Sequence, residues 1–510
     1  MKIALIIFTL TVVIINSCGG SKGNSKREPI SVCFYKIPVR DIAVTDSTPR
    51  ERFLPFYDEK GNLYFVDPSG NNRKTLKDTN ILVNPLGPKV LIHGFYNGSN
   101  QSITDYGPRY LLYVKGGALY MLGLKKGDTS LPFKISSENS IAVICDDLTI
   151  PDYSDPERSI YLYYASQDST CWNGDEKLKL VKLNMDGNDD PIVLGSSADV
   201  IPLGVFRKAE DLSISGVILM EKKENGLYDL KVCDVSMSGC SSILPAEFSS
   251  TEGISNAGIL GNFLYGASFY SAIVIEGKLY IYNGDEMIKP SSSCEFDSSN
   301  LKVDQDDTAI YIASGKRIWK FNYSDFNCYL LKEENSTISQ IKVGKSRIIY
   351  RLTNTIKSIN KDNGNGEKTI KTSQYTVWLS GAEGEFVFYN IYGKGIYIAG
   401  ILKEDGSLIR EFGSSFWGGN VIESEVLPYK KTRYGMILVS FSKCPSNMIN
   451  LGELDKIYRS LYVGEVFRGF FLGKAYINSV TGDIFMFNPE KNQSLVQITN
   501  TLELNEFIPR

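Results

Sequence analysis

From residue 30 onward, the chain alternates short apolar and aromatic runs with polar turns rich in Gly, Asn, Asp and Ser. Apolar residues do not recur at the spacing of three and four that is typical of an amphipathic helix. Two such runs joined by a short turn predict a β-hairpin instead. Ten segments fit this description: 54–77, 109–127, 159–195, 216–235, 272–284, 309–322, 347–370, 385–412, 435–465 and 474–498.

The predicted hairpins share an internal order. A strand ends in a turn with Gly or Asn, a second strand carries an aromatic residue near its centre, and a polar turn leads to a short final strand. Their starts lie about 37 to 57 residues apart, which is close to the length of a four-stranded repeat. The central aromatic residues are Tyr64, Tyr120, Tyr228, Tyr280, Trp319, Tyr397 and Phe485.

A four-stranded sheet this short cannot bury both faces alone, and radial packing of neighbouring sheets covers them. The pattern therefore predicts an all-β fold: one β-propeller of about eight four-stranded blades, with seven to ten allowed by the number of hairpins. A β-sandwich array or another all-β repeat stays open, as do two smaller propellers in tandem. The segments near 255–275 and 435–465 are irregular enough to be insertions. Either 30–39 or 502–510 could supply the strand that closes the ring.

Two segments carry a resemblance to known repeats: VDQDDTAIYIASGKRIWKFN at 303–322 and GNLYFVDPSGNNRKTLK at 61–77. They are similar to blades of bacterial exported propellers with TolB/YWTD-type and DUF5050-type repeats, in which an Asp-rich turn precedes a Tyr-containing strand and a hairpin follows. The resemblance implies an exported propeller and specifies fold better than function. A weaker resemblance is to the propeller lipoprotein of the outer-membrane assembly machine, whose Ala-x-Asp-x-x-x-Gly-x-x-x-Trp signature is missing here.

The start of the chain has the layout of an export signal. Lys2 precedes an apolar run at 3–15, which is shorter than the roughly 20 residues of a membrane-spanning helix. Ile15-Asn16-Ser17-Cys18 resembles the bacterial lipoprotein cleavage box, although Asn16 departs from the usual Ala or Thr. The resemblance implies cleavage before Cys18 and lipidation of Cys18. An ordinary secretory signal with an unmodified Cys18, or a buried core helix, is the alternative.

The predicted organisation is thus a lipoprotein signal peptide at 1–17, a flexible tether at 18–29 and the propeller at 30–510. The expected location is the bacterial cell envelope, with the lipid anchor in the outer membrane and the domain facing the periplasm or the cell surface. Several acyl chains bind a bilayer stably where one alone is marginal. The membrane is therefore the first expected partner.

Nine cysteines are present, and setting Cys18 aside leaves an even number that an oxidising compartment could pair. Cys233 and Cys240 form the favoured pair, because they bracket D-V-S-M-S-G, a plausible strand-turn-strand. Cys294 with Cys328, and Cys145 with Cys171, are less favoured pairs. The alternative is that several of these cysteines are buried free thiols.

Charge and histidine content exclude several function classes. The formal net charge is −3 and the pI about 5.7, so the chain lacks the basic footprint of a nucleic-acid-binding protein. His93 is the only histidine, which excludes metal sites built on paired imidazoles. It lies in an alternating apolar run, and we interpret it as a structural residue. The sequence predicts no catalytic residue and no organic cofactor.

Three acidic clusters, in CDDLTIPDYSDPERS at 145–159, NMDGNDDP at 184–191 and VDQDDT at 303–308, offer the oxygen ligands that calcium prefers. None has EF-hand spacing, and Asp and Asn also serve turns through their own hydrogen bonds. Calcium is therefore the one metal left open, best at the first or second cluster. Paired carboxylates could also cleave glycosidic bonds if the fold brought two of them together.

Aromatic residues in polar loops are the candidate partner contacts: Trp172 in DSTCWNGDE, and Phe416 and Trp417 in FGSSFWGGN. Exposed Trp and Tyr are enriched at interface hot spots, whereas packing against an adjacent blade is the structural alternative. Together these features favour a lipid-anchored binding or scaffold module for an envelope protein, peptide or glycan. A propeller hydrolase or lyase acting on envelope polysaccharide, and a purely structural surface lipoprotein, are the alternatives.

Overall fold

The computed structural model is all-β in every part of the chain that it describes. These parts are 54–57, 61–66, 75–81, 89–97, 102–123, 131–134, 149–151, 159–165, 177–184, 192–196, 199–234, 238–249, 251–292, 294–297, 301–393, 396–412, 416–423, 434–441, 466–467, 470–471, 482–487 and 495–497. The described strands form eight four-stranded sheets, one three-stranded sheet and one two-stranded sheet. The described residues include no helix long and apolar enough to cross a membrane.

Sheets 1 to 4 lie in the first half of the chain. Sheet 1 contains β1 (Leu54–Tyr57), β2 (Leu63–Val66) and β3 (Thr75–Asp78), and sheet 2 contains β4 (Lys89–Asn97), β5 (Ser102–Lys115), β6 (Ala118–Gly123) and β7 (Phe133–Lys134). Sheet 3 contains β8 (Thr149–Pro151), β9 (Ser159–Ala165), β10 (Lys177–Asn184) and β11 (Ile192–Ser196), and sheet 4 contains β12 (Val200–Arg207), β13 (Ile214–Lys222), β14 (Tyr228–Asp234) and β15 (Cys240–Ser242).

Sheets 5 to 9 follow in chain order. Sheet 5 contains β16 (Ala257–Tyr265), β17 (Ser268–Ile275), β18 (Lys278–Tyr282) and β19 (Met287–Ile288), and sheet 6 contains β20 (Leu301–Gln305), β21 (Ala309–Ser314), β22 (Arg317–Asn322) and β23 (Asn327–Glu333). Sheet 7 contains β24 (Gln340–Val343), β25 (Arg347–Arg351), β26 (Thr355–Asn360) and β27 (Lys368–Thr372), and sheet 8 contains β28 (Thr376–Glu383), β29 (Phe386–Gly393), β30 (Ile396–Lys403) and β31 (Leu408–Phe412). Sheet 9 contains β32 (Phe416–Glu423), β33 (Tyr434–Phe441), β36 (Gly482–Phe487) and β37 (Leu495–Gln497), and β34 (Val466–Phe467) pairs with β35 (Phe470–Phe471) in the two-stranded sheet.

Each sheet is an antiparallel meander, and the first strands of successive sheets pack beside one another: β12 beside β16, β20 beside β24, β24 beside β28 and β28 beside β32. Successive meanders stacked through their faces, with their first strands together on one side, define a β-propeller. The predicted all-β propeller is thereby confirmed. The predicted hairpins mostly correspond to the second and third strands of the sheets, as in 309–322, which contains β21 and β22.

Two details of the predicted organisation are corrected. The segment 255–275 is not an insertion, because it forms β16 and the adjoining β17 of sheet 5. The segment 435–465 is not a hairpin of its own: β33 pairs with β36, so one sheet uses strands from both of the last two predicted hairpins. The candidate closing segments 30–39 and 502–510 lie outside the described residues.

The described core lies between neighbouring sheets. One apolar cluster joins sheets 4 and 5, a second joins sheets 5 and 6, a third joins sheets 6 and 7, and a fourth joins sheets 7 and 8. Its largest fully buried side chains include Tyr113, Tyr311, Tyr350 and Tyr389, all on the second strand of a sheet. Tyr389 fits because Gly400 lies opposite it on β30, where a Cβ atom would be 2.2 Å from the tyrosine ring.

Buried tyrosines also connect sheets through what we call a junction tie: a tyrosine hydroxyl of one sheet donates to a carboxylate that ends or follows the last strand of the preceding sheet. A lysine of the later sheet pairs with the same carboxylate. Three ties are present among the described residues: Tyr113 and Lys115 with Asp78, Tyr280, Lys278 and Lys289 with Glu247, and Tyr350 and Lys357 with Glu334.

The ties give hydrogen-bond partners to polar groups at the sheet boundaries that burial would otherwise leave unsatisfied. Burial, together with the hydrogen bond to Glu334, raises the pKa of Tyr350 far above its ordinary value, so the hydroxyl remains a donor. Burial alone would raise the pKa of Asp78, but hydrogen bonds from Lys115 and Tyr113 outweigh it and hold that pKa below its usual value. Each tie is therefore a neutral donor and a cation around one carboxylate at a sheet boundary.

We expect Tyr350→Phe to lower the free energy of unfolding by about 1 to 2 kcal/mol, because Glu334 is buried and loses a hydrogen-bond donor. The 2.6 Å bond from the Tyr350 hydroxyl to Glu334 is the interaction removed. Tyr329→Phe is the matched control, since the exposed Tyr329 hydroxyl donates to Asp325 at 2.6 Å. Urea unfolding of the two variants measures the difference, and equal losses would contradict a special role for the buried tie.

Candidate functional site

The partner contacts predicted from sequence fall in two places. The candidate contact Trp172, like the predicted lipidation site Cys18, lies outside the described residues. Phe416 and Trp417 were predicted to lie in a loop, but they begin strand β32, where they pair with Ser440 and Val439 of β33. Backbone pairing accommodates the Gly-rich sequence through a register shift between Gly418 and Val421.

Of the three acidic clusters, the first two lie almost entirely outside the described residues. In the third, the carboxylates serve the fold. Asp306 accepts hydrogen bonds from the backbone N–H groups of Thr308 and Ala309 and pairs with Lys361 of sheet 7 at 2.9 Å, while Asp304 accepts from the N–H of Val343 at 2.8 Å. No group of three or more His, Cys, Asp or Glu side chains in the described segments could hold a metal ion.

Two disulfides join described residues. Cys233 and Cys240 are directly opposite each other on β14 and β15, with Cα atoms 4.0 Å apart. Cys294, which follows β19 of sheet 5, is joined to Cys328 of β23 in sheet 6. Ser292 strengthens the second connection, because its hydroxyl accepts from the Cys328 N–H at 2.7 Å. Disulfides persist in oxidising compartments, so the pair is typical of a protein that folds outside the cytoplasm.

One end of sheets 4 to 8 carries the turns between first and second strands and between third and fourth strands; we call this end the turn face. The opposite end, with the turns between second and third strands and the connections to the next sheet, is the linker face. Neighbouring sheets meet at the turn face through Phe206 and Tyr282, Tyr265 and Phe326, Asp306 and Lys361, and Ser346 and Glu404.

Between sheets 5 and 6, the turn face carries the largest group of aromatic contacts among the described residues, which we call the aromatic patch: Phe263, Tyr265, Tyr270, Phe321, Tyr323 and Phe326. Its inner half is core, since Phe263, Phe321 and Tyr323 are buried and the rings of Phe263 and Tyr323 stack with centroids 4.1 Å apart. Phe326 packs on these buried rings, and its ring centroid lies 5.1 Å from that of Tyr270 and 5.9 Å from that of Tyr265.

The outer half of the aromatic patch is open to solvent. Tyr265 is 43 % exposed, and Phe326 and Tyr270 are half-buried. Phe326 has a φ of 52°, in the left-handed region that costs an L-residue about 1–2 kcal/mol. A bulky side chain at such a position is unusual, and strain of this kind is a reason to suspect function.

A carboxylate lies beside the patch in the same turn. Asp325 precedes Phe326 and accepts from the Tyr329 hydroxyl at 2.6 Å and from the Asn327 N–H at 3.0 Å. Burial alone would raise the pKa of Asp325, but the hydrogen bonds from Tyr329 and Asn327 outweigh it and hold that pKa below its usual value. The turn thus presents a fixed negative charge next to an exposed aromatic surface.

The sequence alone did not predict this site, although aromatic residues recur at a regular spacing in its segments. Phe263 and Tyr265 end β16 at a spacing of two, and Phe321 and Tyr323 repeat that spacing at the end of β22. Residues two apart on a strand lie on one face, so each pair makes an aromatic stripe that runs into a turn. The pattern was indistinguishable from core because the contacts join segments about sixty residues apart.

Comparisons with known proteins give no family. Neither a protein-family model nor a curated protein sequence matches the chain. Solved structures with a similar arrangement include BamB from Moraxella catarrhalis (10% identity, 65% of this chain and 90% of that chain, TM-score 0.36). A eukaryotic initiation factor is a further example, with 9% identity over 88% of this chain and 97% of that chain and a TM-score of 0.48. Dipeptidyl peptidase 4 from Porphyromonas gingivalis is another, with 9% identity over 83% of this chain and 67% of that chain and a TM-score of 0.34. These similarities are low, and the fold assignment rests on the sheets of this chain.

We expect Phe326→Gly to be more stable than Phe326→Ala by about 1 kcal/mol, because both lose the ring but only glycine adopts a φ of 52° without strain. Thermal unfolding of the two variants measures the difference. Ser324, in the same turn with a negative φ, provides the control pair, for which glycine should give no advantage over alanine. The same order at both positions would show that Phe326 is not strained.

We expect the stability lost in Asp306→Asn, about 1 kcal/mol at neutral pH, to shrink as the pH falls. Burial alone raises the pKa of Asp306, but hydrogen bonds from Thr308 and Lys361 hold it below its usual value. A lowered folded-state pKa contributes stability above the unfolded value of about 4, and this contribution disappears as the pH falls through the folded value. Urea unfolding at several pH values tests this; a constant difference would contradict the ion pair with Lys361.

Proposed function

We propose that this protein is an extracytoplasmic binding or scaffold module that holds a protein partner on its turn face, with the aromatic patch as the contact. The observation that carries the proposal is the exposed outer half of the patch: Tyr265 is 43 % exposed above rings that are fully buried. Aromatic side chains dominate interface hot spots because they bury a large area at a small entropic cost.

The support beneath the patch suits a contact surface. Phe326 rests on the buried Phe263 and Phe321, and the Cys294–Cys328 disulfide fixes sheet 5 to sheet 6 directly after the turn that carries Phe326. Binding groups held by packed side chains lose less conformational freedom on association. The patch therefore has the rigidity that a docking site needs.

The envelope location is part of the same proposal. The signal peptide at 1–17, lipidation of Cys18 and the tether at 18–29 lie outside the described residues and rest on the sequence. A lipid anchor would hold the propeller at a membrane while the tether leaves its faces accessible. The two disulfides support folding outside the cytoplasm.

The alternative of a polysaccharide hydrolase needs two carboxylates facing one cleft. Of the buried carboxylates in the described segments, Glu334 belongs to a junction tie, Glu404 accepts from Ser346 and Arg347, and Asp229 accepts from Ser242. These contacts give each of them a structural role. The exposed aromatic surface of Tyr265 and Phe326 favours the binding module over a purely structural lipoprotein.

We expect a photo-crosslinking amino acid at Ala267, in the exposed turn beside Tyr265, to capture a protein from envelope preparations of the source cells. The same group at Thr353, exposed on the linker face, is the matched control. Capture at Ala267 should disappear when Tyr265→Ser is added, because that change removes the exposed ring and leaves the core intact. Equal capture at both positions, or capture that ignores Tyr265→Ser, would contradict docking at the aromatic patch.

We expect Cys18→Ala to leave the precursor uncleaved and without lipid, since lipidation requires the thiol of Cys18. Metabolic labelling with a fatty acid and the electrophoretic mobility of the product measure both effects. Ser17→Ala is the control, because alanine is also small and should permit processing. Lipid incorporation by the Cys18→Ala variant would contradict the lipid-anchor proposal and would leave the proposal for the turn face unaffected.

A further inference from the structure

We propose that the partner segment held by the aromatic patch is cationic, an arginine- or lysine-rich stretch of polypeptide. This inference rests on the proposed function, because it names the chemistry of what the turn face holds. Its basis is the charge of the turns that sheets 5 and 6 bring to the turn face, together with the exposed ring of Tyr265.

Four turns of sheets 5 and 6 reach the turn face, at 266–267, 283–286, 306–308 and 323–326. They contain Asp285, Glu286, Asp306, Asp307 and Asp325, and none of them contains a lysine or an arginine. All of these carboxylates except Asp306 are on exposed residues. The turns that reach the turn face from the two sheets of the aromatic patch therefore carry charge of a single sign, with Asp325 in the turn of Phe326 itself and the other carboxylates in neighbouring turns.

Most of this charge is not compensated by ion pairs within the described residues. Asp306 pairs with Lys361, but Asp285, Glu286, Asp307 and Asp325 have no ion pair with any lysine or arginine of the described residues. The linker face carries charge of both signs: Glu247 and Glu334 are paired there with lysines, and Lys223 and Lys316 lie in its turns. Like charges left unpaired on neighbouring turns repel each other, and a bound cation would relieve that repulsion.

The exposed aromatic surface is the second, independent part of the argument. A guanidinium or ammonium group binds the face of an aromatic ring, and a nearby carboxylate adds its own attraction for the same positive charge. The chain uses this contact itself, with Arg351 4.9 Å from the centre of the Trp378 ring and Lys320 5.9 Å from that of Tyr311. Tyr265 and Phe326 beside Asp325 offer the same combination to a partner.

The same charges disfavour other occupants. Anionic lipid headgroups, phosphates and acidic peptides would meet repulsion from Asp285, Glu286, Asp307 and Asp325. A neutral glycan would donate hydrogen bonds to these carboxylates but would gain no attraction from their net charge. Complementary charge speeds association and selects partners. A basic protein segment is the occupant that uses both the rings and the carboxylates.

The test uses two labelled peptides and the full chain. One peptide places arginines around a single tryptophan, and the other has glutamate at each arginine position. We expect the arginine peptide to bind more tightly in a fluorescence anisotropy titration, and its affinity to fall as salt is added, because exposed charges are screened. Equal affinity for the two peptides, or an affinity for the arginine peptide that does not change with salt, would overturn the inference.

The triple variant Asp285→Asn, Asp307→Asn and Asp325→Asn should weaken the arginine peptide by about fivefold or more, since rim charges contribute modestly and together. Glu224→Gln, Glu252→Gln and Glu295→Gln form the matched control, because they remove three exposed carboxylates from the linker face and should leave the affinity unchanged. Equal losses in the two triple variants would overturn the inference, since only the overall charge would then matter.

Tyr265→Ser separates this inference from the proposed function. If Tyr265→Ser abolishes capture of the partner at Ala267 and the aspartate triple variant does not affect it, the patch is a docking site but its partner is not cationic. If neither change affects capture, both proposals fail. Loss of capture in both variants supports a basic segment on the aromatic patch.

Discussion

Burial in this protein is a property of pairs of sheets, and the rest of the structure depends on that constraint. Each four-stranded meander has two apolar faces and little thickness, so its side chains leave water only when another sheet covers them. Phe263 of sheet 5 and Ile310 of sheet 6, for example, belong to one cluster. Polar groups at the margins must then be matched across the same gap, as Asp306 is by Lys361.

The sequence predicted the middle of each sheet better than its edges. Second strands such as β21 are buried along their length and third strands such as β22 are buried at intervals, so together they give a recognisable hairpin such as AIYIASGKRIWKFN. First strands are harder to recognise, because bulges with glycine interrupt β12 at Gly204, β16 at Gly261 and β28 at Gly381. Last strands such as β15 are exposed along their length and have no clear alternation.

The candidate site was out of reach of the sequence for a different reason. Its contacts join β16 to the turn after β22, and no local pattern states which hairpins become neighbours. The left-handed backbone of Phe326 is equally invisible, because such a φ predicts Gly or Asn at that position. The prediction that Phe416 and Trp417 lie in a loop was wrong. The neighbouring glycines indicated a loop, but the segment pairs with β33 as a strand.

The aromatic patch is consequently half core and half surface, and the two halves constrain each other. Phe263 and Tyr323 cannot be exchanged freely, since they fill the gap between two sheets, and they fix the height at which Tyr265 and Phe326 emerge. Substitutions of these core residues would therefore alter the outer surface as well. A docking surface of this design inherits its shape from packing rather than from a loop.

The junction ties have a consequence for how such a chain can gain or lose a sheet. Each tie takes its carboxylate from the end of one meander and its tyrosine and lysine from the next, so the self-sufficient unit is offset from the visible sheet. A duplication cut at the sheet boundary, between Glu333 and Glu334, would transplant Tyr350 with its acceptor, whereas a cut at Gln340 would leave that acceptor behind. Recombination among propellers of this kind should therefore favour crossover points ahead of the carboxylate of each tie, where each exchanged piece carries a complete tie.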